Sequence, residues 1–187
     1  MAKKIGAIVS LSIIGVLILA TIIMANVNVN YSVKCATPTT IYVRYGSNGE
    51  RDAQANSNAI VEYINNASKE KSLTALFNGT LGKKANVVAA SSVGKTLTYS
   101  SNTFYVRYRY VNAQKLMDGK KAFKDVNGKE VLYDDLVFTV NNVEGTSVVN
   151  VYVIPDSTNA DSYTYYYELE ADFGDLYNYL VENNYNI

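Results

Sequence analysis

The chain has 187 residues, with 17 Lys plus Arg balanced by 17 Asp plus Glu, one cysteine, and neither histidine nor tryptophan. That length holds one medium domain plus an accessory segment, and the charge balance offers no basic field for a nucleic-acid backbone. Without imidazole there is no Ser-His-Asp or Cys-His arrangement and no His-ligated metal, and Cys35 alone forms neither an intramolecular disulfide nor a multi-thiolate site, so no cofactor and no metal are expected.

The first element decides the compartment. Ile5 to Ala25 carries no charge and no proline, and a helix of that length matches a hydrocarbon core of roughly 30 Å. Lys3 and Lys4 precede it and the next positive charge is Lys34, a bias that places the N-terminus in the cytoplasm and the rest outside. The expected organisation is a cytoplasmic stub at 1–4, a transmembrane helix or signal anchor at 5–26, and an extracytoplasmic α+β domain at 27–187. The competing reading is a cleaved secretory signal ending near Ala25. Bulky Ile23 two places earlier and the length of the apolar run favour the anchor. Removing Lys3 and Lys4 leaves 15 basic against 17 acidic side chains in the exported part, which also holds all 17 tyrosines.

Val27, Val29, Tyr31, Val33 and Cys35 alternate with polar residues, the period of a half-buried strand. Cys35 reads as a small apolar residue of that strand. Thr37-Pro38 interrupts it, and TTIYVRY at 39–45 reads as a second strand pairing back as a hairpin. Ala53, Ile60, Ile64 and Ala67 recur at helical spacing, so 52–67 reads as an amphipathic helix, and Ser72 caps a short one over LTALF.

AASSVGKT at 89–96 fits the loose pattern of a phosphate-binding loop. Such a loop needs glycines that let backbone N–H groups wrap a phosphate and a helix whose N-terminus faces it. Ala89 replaces the first glycine, and LTYSSNTFYVRYRY after Thr96 carries no helical stripe. The stretch reads as a turn around Gly94 joining strands, and no nucleotide is expected.

Further strands are predicted at 85–93, 103–112, 130–142, 147–154 and 162–170. Asp118-Gly119, Asn127-Gly128 and Glu144-Gly145 supply glycines for tight turns, with the Asn-Gly pair suited to a type I′ hairpin. DVNGKE at 125–130 lacks the spacing of a calcium loop and reads as a hairpin turn. Asp172 is a candidate cap for a final helix whose apolar stripe is Phe173, Leu176, Tyr177, Leu180 and Val181. Short links make neighbouring strands antiparallel. The fold class is α+β, a mostly antiparallel sheet with two or three helices packed on one face.

IYVRY at 41–45 and FYVRY at 104–108 look alike and are read as two similar strands rather than a duplication. Arg44, Arg107 and Arg109 alternate with tyrosines there and suggest, with Tyr105 and Tyr166, a surface for an anionic glycan or an envelope protein. The plainer reading is arginines lying over neighbouring rings. In SYTYYYELE the set Tyr163, Tyr165, Tyr167 and Leu169 is expected to face the core, with Tyr166, Glu168 and Glu170 opposite. Glu168 and Glu170 would stand roughly 6 to 7 Å apart, near the spacing of glycosidase carboxylates, and Asp134 and Asp135 point to opposite faces. The sequence favours a membrane-anchored, non-catalytic binding or assembly domain of the cell envelope over a carboxylate-dependent hydrolase acting on glycans, with the lipid bilayer as the expected partner of the N-terminal helix. A pilin-like subunit fits less well, because the apolar helix gives way to strand alternation at Val27.

Overall fold

The structure, a computed structural model, describes residues 2–30, 35–67, 69–71, 85–142, 149–155, 162–169 and 171–187, without the side chains of 2–8, 11, 28–30, 69–71 and 169. The predicted helix over LTALF, the Glu144-Gly145 turn and Glu170 lie outside this set. The chain divides into two compact units, 1–30 with 69–83 and 31–68 with 84–187.

In the first unit, helix α1 runs Ala2–Asn26. Its apolar side chains Val9, Ile13, Ile14, Val16, Leu17, Ile18, Leu19, Ile22 and Ile23 are all 51 to 67% exposed. Among the described residues no helix is long and apolar enough to cross a membrane. The helix is followed by a two-stranded antiparallel ladder, β1 (Asn28–Asn30) with β4 (Lys69–Lys71). Among the described residues, the hairpin expected between 27–35 and 39–45 is therefore not formed. In the second unit, β2 (Thr40–Tyr45) pairs instead with β3 (Arg51–Asp52) and β6 (Thr103–Lys115). That register sets Ile41 against Tyr108 and Val43 against Val106, so the apolar alternation of both strands falls on one face.

The main sheet is antiparallel throughout, in the order β3-β2-β6-β9-β10-β11-β5. Its remaining strands are β5 (Asn86–Ala89), β9 (Leu132–Asn141), β10 (Val149–Ile154) and β11 (Tyr165–Leu169), and a small hairpin is made by β7 (Met117–Asp118) and β8 (Lys121–Ala122). Strands β6 and β9 slip out of register between Arg109 and Gln114, the kind of bulge that bends a long strand.

Two helices cover the first face. Helix α2 (Ser57–Ala67) buries Ile60 and Ile64, and α4 (Gly174–Glu182) buries Leu176 and Leu180. Each such side chain contributes about 2 kcal/mol by leaving water. Tyr63 meets Tyr179 at 5.1 Å between ring centroids, and Phe104 meets Tyr177 at 5.1 Å. The N-cap of α4 is Phe173 and not the expected Asp172, and it carries no side-chain cap hydrogen bond; Asp172 instead closes an Asx-type turn just before the helix, its Oδ1 accepting the Gly174 N–H at 2.8 Å.

Residues 85–93 are not one strand. After β5 the chain forms a single helical turn, α3 (Ala90–Val93), closed by Gly94 at φ 64°, where a side chain would strain the backbone. The Asn127-Gly128 turn is also not type I′, since only Gly128 has positive φ. Asp125 accepts the N–H groups of Asn127 and Lys129 on its Oδ1, so the turn is an Asx-type closure ending on a left-handed glycine.

Candidate functional site

The five residues singled out as a ligand surface, Arg44, Tyr105, Arg107, Arg109 and Tyr166, do share one face, the one opposite α2 and α4. Across it the registers align Tyr42, Arg107, Val137, Tyr152, Tyr166 and Val88 in one row. Thr40, Arg109, Asp135 and Ile154 form the next. A polypeptide alternating Tyr and Arg at period 2 must put all of them on one side.

This face carries a second core. Ala90, Leu97, Tyr105, Val137, Tyr152, Ile154 and Tyr166 pack together, with Val88, Tyr99 and Tyr163 against them. Tyr105 donates its hydroxyl to the Thr98 carbonyl at 2.7 Å and accepts the Ser100 N–H at 2.6 Å, which ties the 97–100 segment onto the sheet. Tyr105 and Tyr166 are consequently buried. Tyr163, expected on the opposite side with Tyr165 and Tyr167, stacks edge-on against Tyr152 at 4.6 Å. It precedes the first residue of β11, so strict alternation does not reach it.

Arg107 is buried as well, 2% exposed, and so is Asp135 at 0%. Arg107 lies 3.0 Å from Glu50 Oε1 and 3.7 Å from Asp135 Oδ2. Arg109 approaches the same carboxylate with two N–H groups, Nε at 3.2 Å from Oδ1 and Nη2 at 3.1 Å from Oδ2. That hydrogen bond, ahead of the Coulomb attraction of Asp135, raises the already high pKa of Arg109. Asp135 is thus the shared counter-ion of two guanidinium groups, an arrangement that offsets the cost of taking the Arg107 and Asp135 charges out of water.

Tyr42, Arg44 and Arg109 stay partly exposed on this face, as do Thr40, Val88, Thr139 and Asn150. The Arg109 guanidinium is 5.5 Å from the Tyr42 ring centroid, and that of Arg44 is 4.1 Å from Tyr99. Tyr99 in turn meets Tyr105 edge-on at 4.8 Å. The arginines do lie over rings. Arg44 has no carboxylate partner among the described residues and is partly exposed. It is therefore a cation of this face that a partner's acceptor group can reach.

The sequence reading missed Tyr42, Glu50, Tyr99 and the role of Asp135. A usable signal existed for Asp135, because a carboxylate in the apolar run LYDDLVF must find a counter-ion if that strand is central. Glu50 gave no signal, since only the β2–β3 turn brings it to Arg107. Within 89–96, the helical turn α3 ends before Lys95 and Thr96, and the chain after them has no regular structure. A helix N-terminus following the Gly-Lys-Thr triplet, the part a phosphate loop depends on, is not formed. Glu168 is exposed on β11. Among the described residues no group of three acidic, cysteine or histidine side chains is placed to hold a metal ion.

Comparison with protein-family models, with curated proteins and with solved structures finds no match to this chain.

Proposed function

We propose that this protein is a single-pass, membrane-anchored domain of the cell envelope, N-terminus inside and residues 27–187 outside, which binds or assembles with another envelope component without catalysing a reaction. The observation that carries the reading is the uncharged stretch Ile5 to Ala25 of the full sequence within the continuous helix Ala2–Asn26; the described residues taken alone hold no helix long and apolar enough to cross a membrane. The apolar side chains named above are more than half exposed, and a bilayer is a solvent in which that arrangement is stable. Its polar residues behave in keeping: Thr21 donates its hydroxyl to the Leu17 carbonyl at 2.9 Å, and Asn26 its amide to the Ile22 carbonyl at 2.8 Å. Such back-bonding satisfies donors where water is absent.

The contact surface is the half-exposed edge of the second face, Tyr42, Arg44 and Arg109, rather than the five residues as a group. Tyr105 and Arg107 neighbour that edge on β6, whereas Tyr166 lies three strands further along the sheet on β11. A half-exposed Tyr42 two residues from Arg44, which has no carboxylate partner among the described residues, suits contact with a carboxylate- or phosphate-bearing partner. A photo-crosslinking amino acid at Tyr42, compared in intact cells with one at exposed Glu62 on α2, tests the assignment. Adducts specific to position 42 that disappear with Arg44→Ala are expected. Equal yields at both positions would overturn it.

A further inference from the structure

Between β6 and β9 the chain makes an excursion, residues 116–131, with an apolar root and a cationic exterior. Leu116 is fully buried, Phe123 packs edge-on against Tyr165 at 5.1 Å, and Tyr167 donates its hydroxyl to the Met117 carbonyl at 2.7 Å. Backbone bonds from Leu116 N to Val131 O, Phe123 N to Leu116 O and Val131 N to Phe123 O tie three passes of chain together at 2.9, 2.7 and 3.0 Å. Two hairpins project from this root, β7–β8 and the 124–130 turn closed by Asp125. The excursion is a fixed structure and not a loose loop, so the side chains at its tips are held outward.

Those side chains are Lys120, Lys121, Lys124 and Lys129, all exposed, and Val126, which is 101% exposed. The neighbouring carboxylates are partly engaged. Asp125 holds two backbone N–H groups, and Glu130 pairs with Lys115 at 2.7 Å. Residues 115–130 contain five lysines against three carboxylates, whereas the remainder of 27–187 has 15 less five, or 10, basic against 17 less three, or 14, acidic side chains. Positive charge is concentrated on a part whose outermost residue is apolar.

We infer that this double hairpin docks on an anionic phospholipid surface, the four lysines meeting headgroup phosphates and Val126 entering the interface between headgroups and acyl chains. A lysine cluster alone would suit any polyanion. The fully exposed valine at the apex selects the bilayer, because a hydrated polymer offers an apolar side chain nothing in exchange for water, while the membrane interface does. The inference rests on the membrane-anchored reading, since the tether keeps the domain within reach of lipid, and charge attraction acts only within about 10 Å at ordinary salt.

The test uses the full chain carrying Cys35→Ala and Val126→Cys, labelled at 126 with an environment-sensitive fluorophore and reconstituted into vesicles of pure phosphatidylcholine or of phosphatidylcholine with phosphatidylglycerol. Sedimentation with the zwitterionic vesicles reads the anchor; the fluorophore reads the docking. A blue shift restricted to phosphatidylglycerol vesicles is expected. It should be abolished by about 0.5 M salt, where screening shortens to a few Å, and weakened roughly fivefold for each of Lys120, Lys121, Lys124 and Lys129 changed to Gln. Co-sedimentation with an unshifted fluorophore in both lipids would overturn the docking and leave the anchor standing. A shift that ignores lipid charge, or that soluble polyphosphate produces while vesicles do not, would overturn it too. Failure to sediment with phosphatidylcholine, with a salt-sensitive shift on phosphatidylglycerol, would remove the anchor and keep the docking.

Discussion

Val43 and Val106 stand opposite each other at the middle of the β2–β6 ladder, and from that point the two strands read alike in opposite directions. Tyr42 faces Arg107 on one side and Arg44 faces Tyr105 on the other. The likeness of IYVRY and FYVRY, 63 residues apart in the chain, is thereby explained: antiparallel pairing of two Tyr-Val-Arg triplets sets each ring against a guanidinium and both valines into the core. The pair nevertheless divides in role, since Arg107 is buried among carboxylates while Arg44 keeps a face to solvent.

Asp135 is the residue on which that buried charge depends. Asp135→Leu removes the buried carboxylate that Arg107 and Arg109 share, and the expected loss is about 3–5 kcal/mol in denaturant unfolding. Arg109→Ala, removing a partner 35% exposed at its side chain, should cost no more than about 1 kcal/mol. Equal losses for the two variants would show that the carboxylate is not shared in the way described.

Tyr105→Phe removes two hydrogen bonds and no packing. The 97–100 segment loses its tie to the sheet, at an expected cost of about 1–3 kcal/mol, and the Ser100 amide should exchange with solvent markedly faster while amides of β9 do not. Unchanged protection at Ser100 would place the tie elsewhere.

Much of the fold was legible because long strands with period-2 alternation and one striped helix carry their own signals: β6, β9, β10 and α4 fall within a few residues of expectation. What failed was pairing and depth. Val27 to Cys35 looks like a hairpin partner for 39–45 by proximity alone, yet β6 offers β2 a longer apolar register. Tyr105 and Tyr166 look like an exposed polar face because their neighbours in sequence are charged, but the 85–101 segment covers them. No local pattern reports which loop will fold over a sheet.

Alkaline stability should fall from about pH 10, the ordinary phenol range. Burial raises Tyr152 to about 12 and pushes Tyr108, Tyr110, Tyr133 and Tyr167 higher still. These groups keep their protons in the fold and lose them when unfolded, so their contribution is complete below pH 10 and is lost as pH rises through the raised values. Phenolate absorbance from Tyr108, Tyr110, Tyr133, Tyr152 and Tyr167 should therefore develop in one step with loss of near-ultraviolet dichroism. Smooth titration of every tyrosine near pH 10 without unfolding would contradict it.

Cys35 belongs to the same group. The residue is partly covered, but its thiol is enclosed and pushed up to about 12, and it interacts electrostatically with Tyr108, Tyr110, Tyr133 and Tyr167. At pH 8 it is a thiol and not a thiolate, so a maleimide should react at least 100-fold more slowly with folded protein than with protein in denaturant. Comparable rates would place Cys35 at the surface.

Cys35 is consequently a poor reporter of topology, and exposed position 62 on α2, away from the double hairpin, is a good one. In cells expressing Cys35→Ala, Glu62→Cys, a membrane-impermeant maleimide should label the protein before lysis, and the labelled protein should remain in the membrane fraction after an alkaline carbonate wash. Labelling only after lysis, with the protein recovered in the cytosolic supernatant, would contradict the anchored, outward-facing arrangement.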